Sequence, residues 1–276
     1  MKYGTSFPQD AVLADPVATR DFAQAVEDLG YDFLTGSDTV FSRSPGAVSR
    51  EPFVLLGYLA ACTKRVGLGT SIVITPQRQT ALVAKQVAEI DVLSGGRVHL
   101  GIGLGHDEGE FAALNEDYHT RGRRVEEQIA VLRALWTEEQ VSFHGRWHQI
   151  EGLGISPLPS RRPIPIWMGG SAEAAVRRIA RLADGWIPPF GRDGAIGALI
   201  EPFLAHVLAA GRHPASIAIK GRLSIVKGTP AGWLKSRDEW QSAGASHFAV
   251  SLNQSGFTSI EQHVALLRTF IEAARQ

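Results

Sequence analysis

The chain is 276 residues long, 44% hydrophobic and 20% charged, with 28 Lys plus Arg against 28 Asp plus Glu. That balance leaves no net field to hold nucleic acid or an anionic membrane, and the apolar share is ample for a core. The single cysteine, Cys62, excludes an internal disulfide, so a reducing, cytoplasmic setting is expected. The opening MKYGTSFPQD lacks the apolar stretch of a secretory signal, and the apolar run 53–62 is too short to span a bilayer.

Residues 3–7 form a β-prone run that Pro8 ends. Residues 16–29 place Phe22, Val26 and Leu29 at helical spacing, with Gly30 as the stop. A second strand at 32–36 leads into a polar loop, 37–50. Residues 52–62 read as a helix with Pro52 in its first turn, and 65–74 (RVGLGTSIVI) as a third strand. Helical spacing returns at 79–93 through Val83, Val87 and Ile90. After the turn at Gly95-Gly96, a fourth strand carries Gly101, Gly103 and Gly105 at alternate positions. The acidic segment 106–110 then reads as a helix start.

Residues 123–136 form a helix with Val125, Ile129, Leu132 and Trp136 on one face. The Gly- and Pro-rich segment 137–165 reads as an irregular excursion holding a small hairpin. A fifth strand, 164–168, ends in Gly169-Gly170-Ser171 and feeds a helix over 172–183. Strands at 184–187, 216–226 and 247–252 then alternate with helices at 195–210, 231–243 and 259–274. Eight strand–helix alternations with short apolar strands predict a (β/α)8 TIM barrel forming one domain, 1–276. A doubly wound open sheet is the competing architecture.

In such a barrel the active site lies at the C-terminal ends of the strands. Those ends are Phe7, Ser37-Asp38, Thr70-Ser71-Ile72, Gly103-Leu104-Gly105-His106, Gly169-Gly170-Ser171 and Trp186. Two are glycine-rich, which suits a phosphate held by backbone N–H groups at a helix start. No metal site is expected: His144 and His148 lie outside any helix, and no HExxH spacing exists. No GxSxG elbow is present, and Gly101-x-Gly103-x-Gly105 is not a dinucleotide fingerprint. Arg121, Arg123 and Arg124 form a basic cluster, with Arg123 and Glu127 spaced as an i,i+4 pair.

The run Ile90-Asp91-Val92-Leu93-Ser94-Gly95-Gly96-Arg97, continuing into Leu100-Gly101-Ile102-Gly103, resembles the bacterial luciferase-like flavin monooxygenase family. So do Arg121-Gly122-Arg123-Arg124 with Leu132-Arg133-Ala134-Leu135-Trp136, and Phe143-His144-Gly145. So do Pro165-Ile166-Trp167-Met168-Gly169-Gly170-Ser171 and Ala183-Asp184-Gly185-Trp186. The family uses reduced FMN with dioxygen, or the deazaflavin coenzyme F420 for hydride transfer, on a TIM barrel. The resemblance implies that Gly103, Leu104, Gly105, Gly169, Gly170 and Ser171 hold the cofactor phosphate and its chain. It places Thr70, Ser71 and Ile72 at a bulge under the ring, with a non-proline cis peptide at Ser71–Ile72, and Phe7 near the ring.

This chain departs from the deazaflavin pattern in one respect. Many such members carry Ser-Asp-His after the second strand and an acid after the fourth, where this chain has Ser37-Asp38-Thr39 and His106. The reading is therefore an FMN-dependent monooxygenase acting on a small organic substrate and dioxygen, with Asp38 and His106 as its polar candidates. The alternatives are an F420-dependent hydride-transfer enzyme and a non-catalytic flavin-binding protein. A separate flavin reductase is the expected source of electrons, and the resemblance implies a homodimer.

Overall fold

The structure, a computed structural model, describes residues 1–8, 14–41, 50–191 and 194–276. The first half of the chain runs β1 (Lys2–Ser6), α1 (Pro16–Asp28), β2 (Phe33–Gly36), α2 (Pro52–Cys62), β3 (Gly67–Thr70), β4 (Val73–Ile74), α3 (Thr80–Ser94), β5 (Val98–Gly103), α4 (Glu108–Ala113) and α5 (Arg121–Thr137). The second half runs β6 (Val141–His144), β7 (Gln149–Leu153), β8 (Ile166–Gly169), α6 (Glu173–Leu182), β9 (Gly185–Ile187), α7 (Ile196–Ala209), β10 (Ala218–Ser224), α8 (Pro230–Ser242), β11 (His247–Ser251) and α9 (Ile260–Ala274).

Parallel pairing runs β3-β2-β1-β11-β10-β9-β8-β5-β4, and β3 also pairs with β5, which closes the barrel. β3 and β4 are two halves of one barrel strand. The run expected as continuous over 65–74 breaks at Ser71–Ile72, where the peptide bond is cis. The excursion is the antiparallel hairpin β6–β7.

Alternation along each strand decides what fills the barrel. Outward residues such as Leu34, Leu68, Ile166, Ile219 and Phe248 are buried beneath the helices. At the lower end, inward rings from four strands meet. Phe33 lies 6.1 Å from His99 and 5.7 Å from His247, and Trp167 lies 5.9 Å from His99 and 4.8 Å from His247, centroid to centroid. These contacts are edge-on or tilted, the arrangements aromatic pairs favour. The strands between them carry glycine: a Cβ at Gly4, Gly69 or Gly185 would overlap Phe33, His99 or Trp167. Large and small residues therefore alternate around the barrel in a packed layer.

Local signals set the helix ends. Asp15 accepts from Ala18 N at the start of α1, Gly95 ends α3 at φ +71°, and Ser259 with Gln262 forms a capping box on α9. Trp136 of α5 is fully buried and donates its Nε1–H to the Ala84 carbonyl of α3 at 3.0 Å. The expected Arg123–Glu127 pair does not form. Glu127 instead accepts from the backbone N–H groups of Arg146, Trp147 and His148, which pins the hairpin turn onto α5, and Arg123 is exposed. Among the described residues no helix is long and apolar enough to cross a membrane.

Candidate active site

The upper ends of β2, β4 and α4 are tied together by buried carboxylates. Asp38, with its side chain 1% exposed, accepts from Arg78 through both oxygens, at 2.7 and 3.2 Å, and from Ile74 N at 3.0 Å. Two parallel guanidinium bonds make this a rigid clamp between the loop after β2 and the segment after β4. Glu110, which the sequence reading passed over, does the same from α4. Its Oε1 accepts from Val40 N and Phe41 N, and its Oε2 from Gln77 Nε2 at 3.0 Å.

Thr70 is buried and exchanges two bonds with Gly101, donating to its carbonyl at 2.6 Å and accepting from its N–H at 2.9 Å. A Cβ at Gly101 would overlap the Thr70 carbonyl oxygen, and one at Gly103 the Ile72 side chain. These two glycines make room for the neighbouring strand. Gly105, at φ +72°, turns the chain over Ile74 and Phe111. The helix start expected at His106 falls at Glu108, the helix is only six residues long, and the Asp107 carboxylate already accepts from Gly109 N and Glu110 N. An anion therefore has no open helix end after β5.

The other glycine-rich end differs. Gly169 closes β8, Gly170 adopts φ +150°, and Ser171 leads exposed into the ten-residue α6. No side chain caps α6, which starts just beyond the C-terminal end of β8, and in its first turn Ala175 N donates to the Ala172 carbonyl at 2.8 Å. Trp186 is fully buried against Phe203, with centroids 4.2 Å apart, and donates to the Gly170 carbonyl at 2.9 Å. Its place is under the loop, as a support, rather than in the mouth.

Phe7 also points away from the mouth. Gly4 faces inward onto Phe33, so Ser6 faces inward and Phe7 outward, where its ring meets Phe22 of α1 edge-on at 5.5 Å. Among the described residues Ser6 Oγ is buried without a hydrogen-bond partner. Leu104 packs against the core, and His106 stands exposed at the rim without a hydrogen-bond partner among the described residues. Asp38, Ser71 and Ile72 thus gather at one end of the barrel with Gly169, Gly170 and Ser171.

β10 adds what the sequence reading missed. Arg222 faces the mouth, its guanidinium 4.1 Å from the centroid of the exposed Phe190 ring. It makes no hydrogen bond or ion pair among the described residues, and burial lowers its pKa. Two residues below, Lys220 is enclosed in the barrel. Two basic residues at i and i+2 on a barrel strand share its inner face, and that spacing was the available signal.

A closed parallel barrel that gathers Asp38, Ser71 and Ser171 at the C-terminal ends of its strands defines an α/β-barrel protein with its candidate site at that end. The family model described as luciferase-like monooxygenase matches residues 3–258, and the chain belongs to that family. It is 34% identical over 217 residues to an uncharacterized protein of Mycobacterium tuberculosis, covering 68% of this chain and 75% of that one. An F420-dependent hydroxymycolic acid dehydrogenase of M. tuberculosis is 31% identical over 229 residues (81% and 63% of the two chains). An FMNH2-dependent dimethylsulfone monooxygenase of Pseudomonas putida is 32% identical over 205 residues (72% and 56%). The monooxygenase RslO1 from Streptomyces bottropensis superposes with a TM-score of 0.79 at 22% identity, covering 99% of this chain and 98% of that one. The protein is a flavin- or F420-dependent oxidoreductase of this family.

Proposed function

We propose that the protein is a monooxygenase using reduced FMN and dioxygen on a small organic substrate held at the barrel mouth. The Asp38–Arg78 clamp carries this reading. Hydride transfer to or from an alcohol needs an acid or base beside the substrate. After β2, however, the carboxylate is committed to Arg78, and the Thr39 hydroxyl donates back to the Asp38 carbonyl at 2.8 Å.

The residues present fit a phosphorylated, ring-bearing cofactor. The first turn of α6 with Ser171 would take the phosphate, Ser71 and Ile72 would form the floor beneath the ring, and the orphaned Ser6 Oγ offers a polar partner. Arg222 would hold the anionic edge of ring or substrate, and the aromatic layer packs the barrel below it. When bound, reduced FMN supplies the electrons that activate dioxygen. A homodimer through α2 and α3 accounts for the exposed Val54 and Tyr58 on one and Leu82 and Leu93 on the other.

The test is a side-by-side titration with oxidised FMN, reduced FMN under argon, and F420. Preferential binding of reduced FMN, followed by substrate-dependent oxygen consumption, supports the reading. Tight F420 binding without FMN affinity replaces it with hydride transfer. Flavin binding that leaves oxygen chemistry unchanged identifies a non-catalytic flavin binder.

A further inference from the structure

Lys220 is the buried group that the reading above leaves unused. Its side chain lies inside the barrel, 2% exposed, and its Nζ donates to Ser71 Oγ at 2.9 Å, with the Phe33 ring centroid 5.9 Å away. Among the described residues no carboxylate pairs with it. The titratable groups facing it are His99 on β5, His247 on β11 and Arg222 on its own strand. Lys220, His99 and His247 also line a cavity of about 580 Å³ at the lower end of the barrel, whose other charged groups are Lys2, Asp32, Arg65, Arg97, Arg161 and Asp184.

Burial first, and then the Arg222 charge, lower the pKa of Lys220 to about 7. His99 and His247, lowered chiefly by burial to about 3 and about 4, stay neutral near neutral pH and offer no counter-charge. A buried amine without a counter-ion gains a proton when an anion arrives nearby. Because Ser71 Oγ accepts from the amine, the hydroxyl keeps its own proton to donate elsewhere.

We propose that Lys220 is a charge-compensating positioning residue of the cofactor site, taking up a proton when an anionic reduced flavin binds above Ser71 and acting on it through the Ser71 hydroxyl. This rests on the flavin reading. The step is simple: the Nζ lone pair takes a proton from the protonated buffer acid, one N–H bond forms as the acid's own bond to that hydrogen breaks, the buffer is left as its conjugate base, and no electron is transferred. The reduced isoalloxazine is an anion above neutral pH while the oxidised ring is neutral, so the two forms should differ in the protons they draw in.

The experiment is anaerobic calorimetry at about pH 8, in two buffers of different ionisation enthalpy, with reduced and with oxidised FMN. The phosphate is common to both ligands, so the difference in proton uptake isolates the ring. The wild type is expected to take up roughly half to one proton more with reduced FMN. In Lys220→Met the difference vanishes, and the preference for reduced over oxidised FMN falls by about tenfold or more. Lys220→Arg, always charged, keeps the preference but loses the proton difference, an outcome a packing role would not produce. Ser71→Ala, which cuts the same link from the other end, should shrink the difference and serves if Lys220→Met fails to fold. Equal proton counts in the wild type, or an unchanged difference in Lys220→Met, overturn this proposal alone. Absence of flavin binding by the wild type overturns the cofactor reading and this proposal together.

Discussion

Among single residues, Glu27 shows how this chain treats a buried carboxylate. It is 8% exposed and accepts from the backbone N–H groups of Lys64, Arg65 and Val66, joining the end of α1 to the approach to β3. Burial alone would raise its pKa, but the Val66, Arg65 and Lys64 N–H groups outweigh that and hold it below 4.5. A lowered folded pKa contributes stability that is present above the unfolded value and lost as pH falls through the folded one. Glu27→Ala should therefore cost about 1–3 kcal/mol at neutral pH, because three N–H groups, that of Val66 buried, lose their acceptor. The gap to wild type should narrow below about pH 4. Denaturant unfolding at the two pH values measures it; an equal gap at both would show that ionisation is not the cause. Asp38 was legible in the sequence as a polar residue at a strand end. Its bidentate bond to Arg78 was not, because the partner lies 40 residues away on another loop.

Among the elements, α5 and α9 were legible because their apolar spacing repeats over several turns, whereas the break between β3 and β4 was legible only through the family resemblance, which implied the bulge and the cis peptide at Ser71–Ile72. By periodicity alone Ser71 and Ile72 continue a β-prone run, so the pattern by itself read 65–74 as one strand. The glycines of β5 illustrate the same limit. An anion-binding turn and a strand making room for its neighbour produce the same letters, and only the cross-strand distance separates them. Gly101→Ala places a Cβ against the Thr70 carbonyl oxygen, a backbone atom that cannot swing aside, whereas nothing lies within 4 Å of a Cβ at the exposed Gly197 in α7. Gly101→Ala should therefore be strongly destabilising, by about 3 kcal/mol or more. Gly197→Ala should raise stability by up to about 1 kcal/mol through helix propensity. Melting temperatures of the two variants against wild type check both signs, and a tolerated Gly101→Ala would mean that β3 and β5 can part locally.

Across the whole molecule, the eightfold alternation predicted barrel closure because each strand–helix unit is local. The barrel's interior was harder to read, since its contents come from strands far apart in sequence. His99 and His247 read as ordinary strand residues, yet they meet Trp167 and Phe33 in the aromatic layer, below the enclosed Lys220. All three bases have folded pKa values below their unfolded ones: about 3 and about 4 against 6.5 for the histidines, and about 7 against 10.5 for the lysine. The unfolded chain binds more protons than the folded one between each pair of values, so stability rises with pH across both windows. The unfolding free energy should therefore climb from about pH 5 to about pH 9, the histidines acting at the lower end and Lys220 above about pH 7. His247→Phe retains an aromatic ring against Trp167 and removes one titrating base. It should flatten the climb below about pH 6.5 and leave the upper part intact. Urea unfolding across that range reads both slopes. An unchanged lower slope in His247→Phe would mean that its imidazole is as easily protonated in the fold as in water, and the aromatic layer would then have to be open to solvent.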